Sequence, residues 1–232
     1  MINSIEADKM LKEVRRAISL VPKNVVYLAK KITDFDRLYG TDTTQRAGPD
    51  ELGITSDYVE HGYEATPARF FRRAVRMGKF PIEGTTFIDI GVGKGLTLML
   101  ASRLPFERII GVELSPLLCD IARENLRIYK SVRQRCRAME VVCADALEYR
   151  WPDGPLVLYM YNPFSANVMA KVMASVADSI RRAPRPVSVV YFNPVQRAVL
   201  DALPWLKLVR YRQFNSLIRQ YPLCRVAVYK AI

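Results

Sequence analysis

The stretch Phe87-Ile88-Asp89-Ile90-Gly91-Val92-Gly93-Lys94-Gly95 reads as a short buried strand running into a glycine turn, with a helix opening at Leu96. Thr86 to Ile90 are β-branched or aromatic apart from Asp89, and turn residues bound them on both sides. Three glycines at alternate positions let the backbone bend sharply and approach a ligand more closely than side chains would allow. The helix that follows turns its free N–H groups and positive dipole end toward the same point.

The spacing narrows the ligand. A dinucleotide turn of the Rossmann kind is G-x-G-x-x-G. Here the third glycine comes one residue early, and Leu96 stands where that glycine belongs. A Walker loop needs Gly-Lys-Ser/Thr, but Lys94 is followed by Gly95. Pro105 ends the helical stretch Leu96 to Leu104, and Arg108 to Val112 form a second strand closing on Glu113. An acidic residue about twenty positions after such a turn is placed to accept hydrogen bonds from ribose hydroxyls. Read alone, Glu113 is equally a solvated residue at a strand end.

The remaining elements follow in α/β alternation. Ser115 and Pro116 open a helix to about Tyr129, and Met139 to Cys143 form a third strand, followed by Ala144, Asp145 and Ala146. Leu156 to Tyr161 is a continuous apolar run, as expected of a central parallel strand buried on both faces. It ends in Asn162-Pro163-Phe164, at the sheet edge where open α/β folds bind ligands. A helix over Ala166 to Arg182 and a strand over Val187 to Phe192 come next, the strand ending in a second Asn-Pro, Asn193-Pro194. A short helix over about Val195 to Leu203 precedes two last strands, Trp205 to Gln213 and Leu223 to Ile232. Upstream, Ile5 to Leu20 and Asn24 to Phe35 read as helices, and Asp36 to Asp57 as a long polar loop. His61 reads as a loop histidine, and Pro67 starts a helix running from Ala68 to Met77. The expected organisation is an N-terminal helical extension and loop over residues 1–60 and a catalytic domain over 61–232.

From about Tyr63 onward, the hydrophobic-Asp-hydrophobic-Gly-x-Gly-x-Gly turn and the order of strands and acidic residues resemble the class I S-adenosylmethionine (SAM)-dependent methyltransferases. The chain as a whole looks like a bacterial subgroup of that family, and Phe87 to Gly91 with Gly111-Val112-Glu113 are similar to its seven-strand lysine methyltransferases. The resemblance implies an α/β, Rossmann-like doubly wound sheet of seven strands, mostly parallel with the last strand antiparallel, and SAM as cofactor. It implies that Asp89 lies near the cofactor's amino acid end, with Gly91, Gly93 and Gly95 forming the turn and Glu113 at the ribose. Asp145 would meet the adenine amino group and Ala146 would pack on the ring. The segment before the glycine turn folds over the cofactor in such enzymes, which makes Tyr63, Glu64 and Thr66 candidates at the methionine end. Asn162 matches the position that orients an amine acceptor, with Phe164 stacking on it and Tyr63 nearby. The second proline of the amine-directed motif is missing here, so an oxygen acceptor stays open.

Composition sets the outer bounds. The 232 residues are half hydrophobic, enough for a core without disulfides. Four cysteines form no C-x-x-C pair and there is one histidine, so no metal site is expected. No run of eighteen apolar residues occurs. Glu6, Asp8, Lys9 and Lys12 interrupt the first apolar residues in a way unlike a secretory signal, and the expected location is the cytoplasm. Net charge is +12, of which residues 151–232 carry +8 from 11 basic and 3 acidic side chains. That excess favours an acidic partner such as nucleic acid or an anionic surface. Two alternatives to the enzyme stand beside it: an NAD-dependent oxidoreductase, disfavoured by the glycine spacing, and a non-catalytic protein of this fold that binds RNA or an anionic surface through its basic third.

Overall fold

The computed structural model describes residues 35–48, 52, 62–215 and 223–232. The expected helices within 1–34, His61 and residues 49–51 and 53–57 of the expected loop lie outside those residues. The chain divides into two compact units, Met1–Thr41 and Asp42–Ile232. In the first, α1 (Phe35–Tyr39) is a helical turn where the sequence predicts the start of a loop. Its ends meet as an aromatic pair four residues apart, with ring centroids at 4.7 Å, and Gly40 leaves it with φ of 73°.

In the second unit a seven-stranded sheet is built from β1 (Thr86–Ile90), β2 (Arg108–Glu113), β3 (Met139–Cys143), β4 (Leu156–Tyr161), β5 (Val187–Phe192), β6 (Leu206–Asn215) and β7 (Leu223–Ala231). The spatial order is β3-β2-β1-β4-β5-β7-β6. The first five strands run parallel, while β7 is antiparallel to both β5 and β6. All five residues of β1 and the first five of β4 are buried, as strands covered on both faces must be.

The helices of this unit are α2 (Ala68–Met77), α3 (Leu96–Ala101), α4 (Pro116–Ile128), α5 (Ala166–Arg182) and α6 (Arg197–Asp201). In α2, Phe70, Phe71, Ala74 and Val75 form one buried stripe at helical spacing. Phe71 carries it onto the sheet, its ring centroid 5.8 Å from Phe87 and 5.4 Å from Tyr159. In α5, Val168, Met169, Val172, Met173 and Val176 do the same on a core that also holds Ile88, Leu158 and Val189. α3 stops at Ala101, short of the expected Leu104, where the Ser102 hydroxyl donates back to the Met99 carbonyl at 2.8 Å. Hydroxyls that bond the preceding turn compete with continuation of the helix.

Strand order reverses between β1 and β4. Connections leave these two neighbours in opposite directions, and their C-terminal ends frame a crevice. No helix among the described residues is long and apolar enough to cross a membrane.

Candidate active site

The crevice at the C-terminal ends of β1 to β5 collects residues from seven separate stretches of chain, among them Gly91, Glu113, Asp145, Asn162 and Asn193. Its floor is the glycine turn. Gly91 and Gly93 have φ of 75° and 56°, which glycine adopts without steric cost. A Cβ on Gly91 would lie 2.8 Å from Cβ of Pro163, and one on Gly93 would overlap the Tyr63 ring. The bare backbone here therefore admits protein side chains as well as a ligand. Gly95 closes the turn with φ of 84°.

Glu113 is 6% exposed and stands at the tip of β2. One carboxylate oxygen accepts from the Gly93 N–H at 2.8 Å. The other accepts from the N–H groups of Leu114 at 2.9 Å and Ser115 at 3.0 Å. Burial pushes its pKa up from 4.5, while these three N–H groups pull the other way. A carboxylate offers about four lone-pair sites, so about one stays open for a ligand hydroxyl. Glu113 thus serves first as the brace of the glycine turn, a role that spacing alone does not reveal.

Asp89 sits on β1 beneath the turn, 2% exposed, and accepts a hydrogen bond from the Thr97 hydroxyl. Burial raises its pKa from 3.8 to about 8, with Thr97 lowering it and the nearby Glu113 adding to the rise. An acid whose pKa rises on folding stabilises the fold fully below its unfolded value. That contribution is lost as pH climbs toward the folded value. For Asp89 the window runs from 3.8 to about 8. Within it stability should fall by somewhat more than ~1 kcal/mol per pH unit. Asp89→Asn keeps the shape and the bond from Thr97 but cannot ionise, so its melting temperature should fall less steeply between pH 5 and 8. Equal slopes for variant and parent would remove Asp89 as the titrating group.

At the tip of β3, Asp145 accepts from the Leu147 N–H at 2.8 Å, a side-chain turn that holds Ala146 against the crevice wall. The Ala144 N–H donates to the Glu113 carbonyl at 2.9 Å, which ties the second and third strand tips together. Asp89, Glu113 and Asp145 therefore line one crevice, as the sequence predicts. Thr66 and Glu64 line it too. The Thr66 hydroxyl is paired with the Tyr159 hydroxyl at 3.1 Å, and Glu64 accepts from Arg46 at 2.5 Å.

Across the crevice, Asn162 has φ of 45°, a left-handed conformation that costs on the order of 1–3 kcal/mol outside glycine. Its side-chain oxygen accepts from the Tyr191 hydroxyl at 3.0 Å, and that hydroxyl accepts from the Gln196 N–H at 3.2 Å. Asn193 repeats the conformation at the tip of β5 with φ of 47° and also lines the crevice. The repeated Asn-Pro was the sequence signal for it. Phe164 lines the crevice and packs on the core below.

A further network is invisible in the sequence. Lys94, 4% exposed, donates to both carboxylate oxygens of Asp42 at 3.0 and 2.9 Å. The Asn125 amide donates to the carbonyls of Asp42 at 2.8 Å and Lys94 at 2.9 Å, and its oxygen accepts from the Asp42 N–H at 2.8 Å. The Tyr63 hydroxyl donates to the Thr43 carbonyl at 2.7 Å, and Lys94 lies 5.8 Å from the Tyr63 ring centroid. Residues 42–48 and 62–66 are thereby fastened over the glycine turn.

Residues 88–192 match a family described as "Methyltransferase domain". The chain is 28% identical over 107 residues to the ribosomal protein L11 methyltransferase of Clostridium perfringens, a match covering 46% of this chain and 30% of that protein. It thus spans less than a third of that relative's length. Among solved structures it is similar to magnesium protoporphyrin IX methyltransferase from Synechocystis PCC 6803 with bound SAM, at 14% identity and a TM-score of 0.50, covering 71% of this chain and 77% of that one. It is also similar to the [4+2]-cyclase SpnF, at 13% identity and a TM-score of 0.51, covering 71% and 80%. Both likenesses concern the fold. Strand order, glycine turn and strand-tip carboxylates agree with the matched family: over residues 88–192 this chain is similar to a methyltransferase domain, carried on a Rossmann-like seven-stranded sheet.

Proposed function

We propose that the chain transfers a methyl group from SAM to a nucleophilic acceptor, in the first instance a nitrogen. The carrying observation is the convergence of Asp89, Glu113 and Asp145 with Asn162 in one crevice on both sides of the strand-order reversal. The residues fit that cofactor by donor–acceptor chemistry. SAM presents a ribose diol, an adenine amine and an ammonium, all donors, and the crevice presents carboxylates. Asp145 would take the adenine amine, with Ala146 against the ring. Glu113 would use its open lone-pair site for a ribose hydroxyl. Asp89, Gly91, Gly93 and Gly95 would surround the methionine end, with Tyr63 and Thr66 covering it.

Bound there, SAM supplies a methyl group already activated by its sulfonium. What the chain must do is align the acceptor and exclude water. Asn162 offers its amide oxygen to an acceptor N–H, Phe164 offers a stacking face, and Tyr63 closes the near side. An amide oxygen suits a neutral amine, which needs no strong base. An oxygen acceptor would need one.

Calorimetry with SAM, its demethylated product and NAD tests the reading. Binding of the first two without the third is expected. Incubation with tritiated SAM and fractionated cell extract should then move label into one macromolecular or small-molecule fraction. Binding of NAD alone, or no binding of any of the three, would overturn it.

A further inference from the structure

We infer that α2 and the adjoining face of β6, with Lys230 at the end of β7, form a nucleic-acid-binding surface leading to the crevice, which makes a nucleic acid the acceptor of the reaction proposed above. The inference rests on that reading for its chemistry but on separate residues for its geometry.

The basic excess is not spread evenly. On α2, Arg69, Arg72, Arg73 and Arg76 are all exposed, opposite the buried stripe, and the helix has no acidic residue. On the sheet, the register pairs Lys207 with Lys230 and sets Arg210 and Arg212 across from Val228 and Val226. Alternation along β7 puts these four basic residues on one face together with Phe214. That is the face α2 adjoins. Phe70 stacks on Phe214 with centroids 5.6 Å apart, and the Arg73 guanidinium lies 4.7 Å from the Phe214 ring centroid. Helix and strand thus supply one continuous basic surface, joined beneath by the buried Phe70–Phe214 pair. Arg72, Arg73, Arg76, Arg210 and Arg212 have no carboxylate partner among the described residues.

The surface reaches the crevice by both of its halves. α2 starts two residues after Thr66, which lines the crevice. The Asn193 N–H, also at the crevice, donates to the Arg225 carbonyl at 2.8 Å, and Arg225 stands opposite Gln213 at the end of β6. From that end β6 extends away for ten residues, about 33 Å.

Charge on an edge strand also discourages strand-to-strand aggregation. One or two charged residues on β6 would serve that end, and it does not account for four arginines on the neighbouring helix. A membrane is the poorer partner. Interfacial binding needs apolar residues beside the basic ones. Of the exposed apolar residues of β6, Leu208 and Tyr211 pair with Tyr229 and Ala227 on the opposite face, and Val209 alone stands at the register shift beside Arg210. A phosphodiester backbone needs spaced cations, which this face has.

The test measures anisotropy of a labelled single-stranded RNA, and of DNA of the same sequence, against salt. Parallel arms use co-sedimentation with phosphatidylserine vesicles and calorimetry with SAM. The parent should bind an oligonucleotide, with log affinity falling linearly with log salt. Arg210→Glu with Arg212→Glu, and separately Arg72→Glu with Arg76→Glu, should each weaken that binding at least ~10-fold and flatten the slope by about 0.7 per lost contact. SAM affinity should stay within about twofold in both. That constancy also reports that the variants are folded. Parent protein that binds neither oligonucleotide, variants that bind as tightly as the parent, or binding to vesicles alone would overturn the surface. Oligonucleotide binding that depends on the arginines in a chain with no affinity for SAM would instead overturn the methyltransferase reading and leave the surface standing.

Discussion

Glu113→Ala should abolish measurable SAM binding and lower the melting temperature by roughly 5–15 °C. The two effects share one cause. The carboxylate accepts from the N–H groups of Gly93, Leu114 and Ser115 in a nearly dry setting. Truncation leaves three buried donors without a partner, each worth on the order of 1 kcal/mol or more. Some of that is returned, because the folded chain no longer buries a carboxylate whose pKa is already raised. A net loss of about 2–4 kcal/mol remains, and in a domain of this size each kcal/mol moves the midpoint by about 2–4 °C. Glu113→Gln separates the roles. Its oxygen can still serve Leu114 and Ser115, while its NH2 meets the Gly93 N–H as a second donor. Stability should therefore rank parent, Gln, Ala, whereas SAM affinity should collapse in both. Thermal melts and calorimetry on the three proteins decide the matter. SAM binding by Glu113→Ala within threefold of the parent would dissociate Glu113 from the cofactor.

How much of this was legible in advance depends on the range of the interaction. The strands Met139–Cys143, Leu156–Tyr161 and Val187–Phe192 and the helix Ala166–Arg182 stand where hydrophobic pattern and proline boundaries put them. That signal is local, and a sheet buried on both faces writes it strongly. Asp89, Glu113 and Asp145 could be gathered into one crevice from sequence because parallel strands place successive C-terminal tips along one edge. The Asp42–Lys94–Asn125 network could not, since its members lie 52 and 83 residues from Asp42 and none has a distinctive neighbour. Lys94 was visible only as the lysine of a Walker pattern that Gly95 breaks. Its burial against Asp42 belongs to the tertiary fold, where an ion pair half covered by chain holds a strap over the turn. The basic surface was half legible. Counting charge found β6 and β7 but missed α2, because its four arginines are balanced in the first 86 residues by carboxylates elsewhere in sequence. The contacts of Phe70 and Arg73 with Phe214 join the two halves.

Asn162 carries the second large effect, and its backbone decides how the experiment must be designed. Removing the side chain should cut methyl transfer by on the order of a hundredfold or more, the cost of a misaligned acceptor, with SAM affinity changed little. Alanine at φ of 45° adds backbone strain that asparagine tolerates better. Asn162→Gly is therefore the cleaner deletion, and Asn162→Ala its strained counterpart. If both lose transfer equally while only the alanine variant melts earlier, the loss belongs to the amide and not to the turn. Tyr191→Phe gives an independent handle. The Tyr191 hydroxyl occupies one lone pair of the Asn162 oxygen and is itself held by the Gln196 N–H. Without it the amide loses its fixed orientation but keeps its acceptor atom, so transfer should fall less than in Asn162→Gly, with the Michaelis constant for the acceptor rising. Tritium transfer from SAM into the labelled extract fraction, measured for the four proteins, reads all of this. Normal transfer by Asn162→Gly would move the acceptor to the other side of the crevice, where Asn193 repeats the same left-handed Asn-Pro geometry and would be the next residue to change.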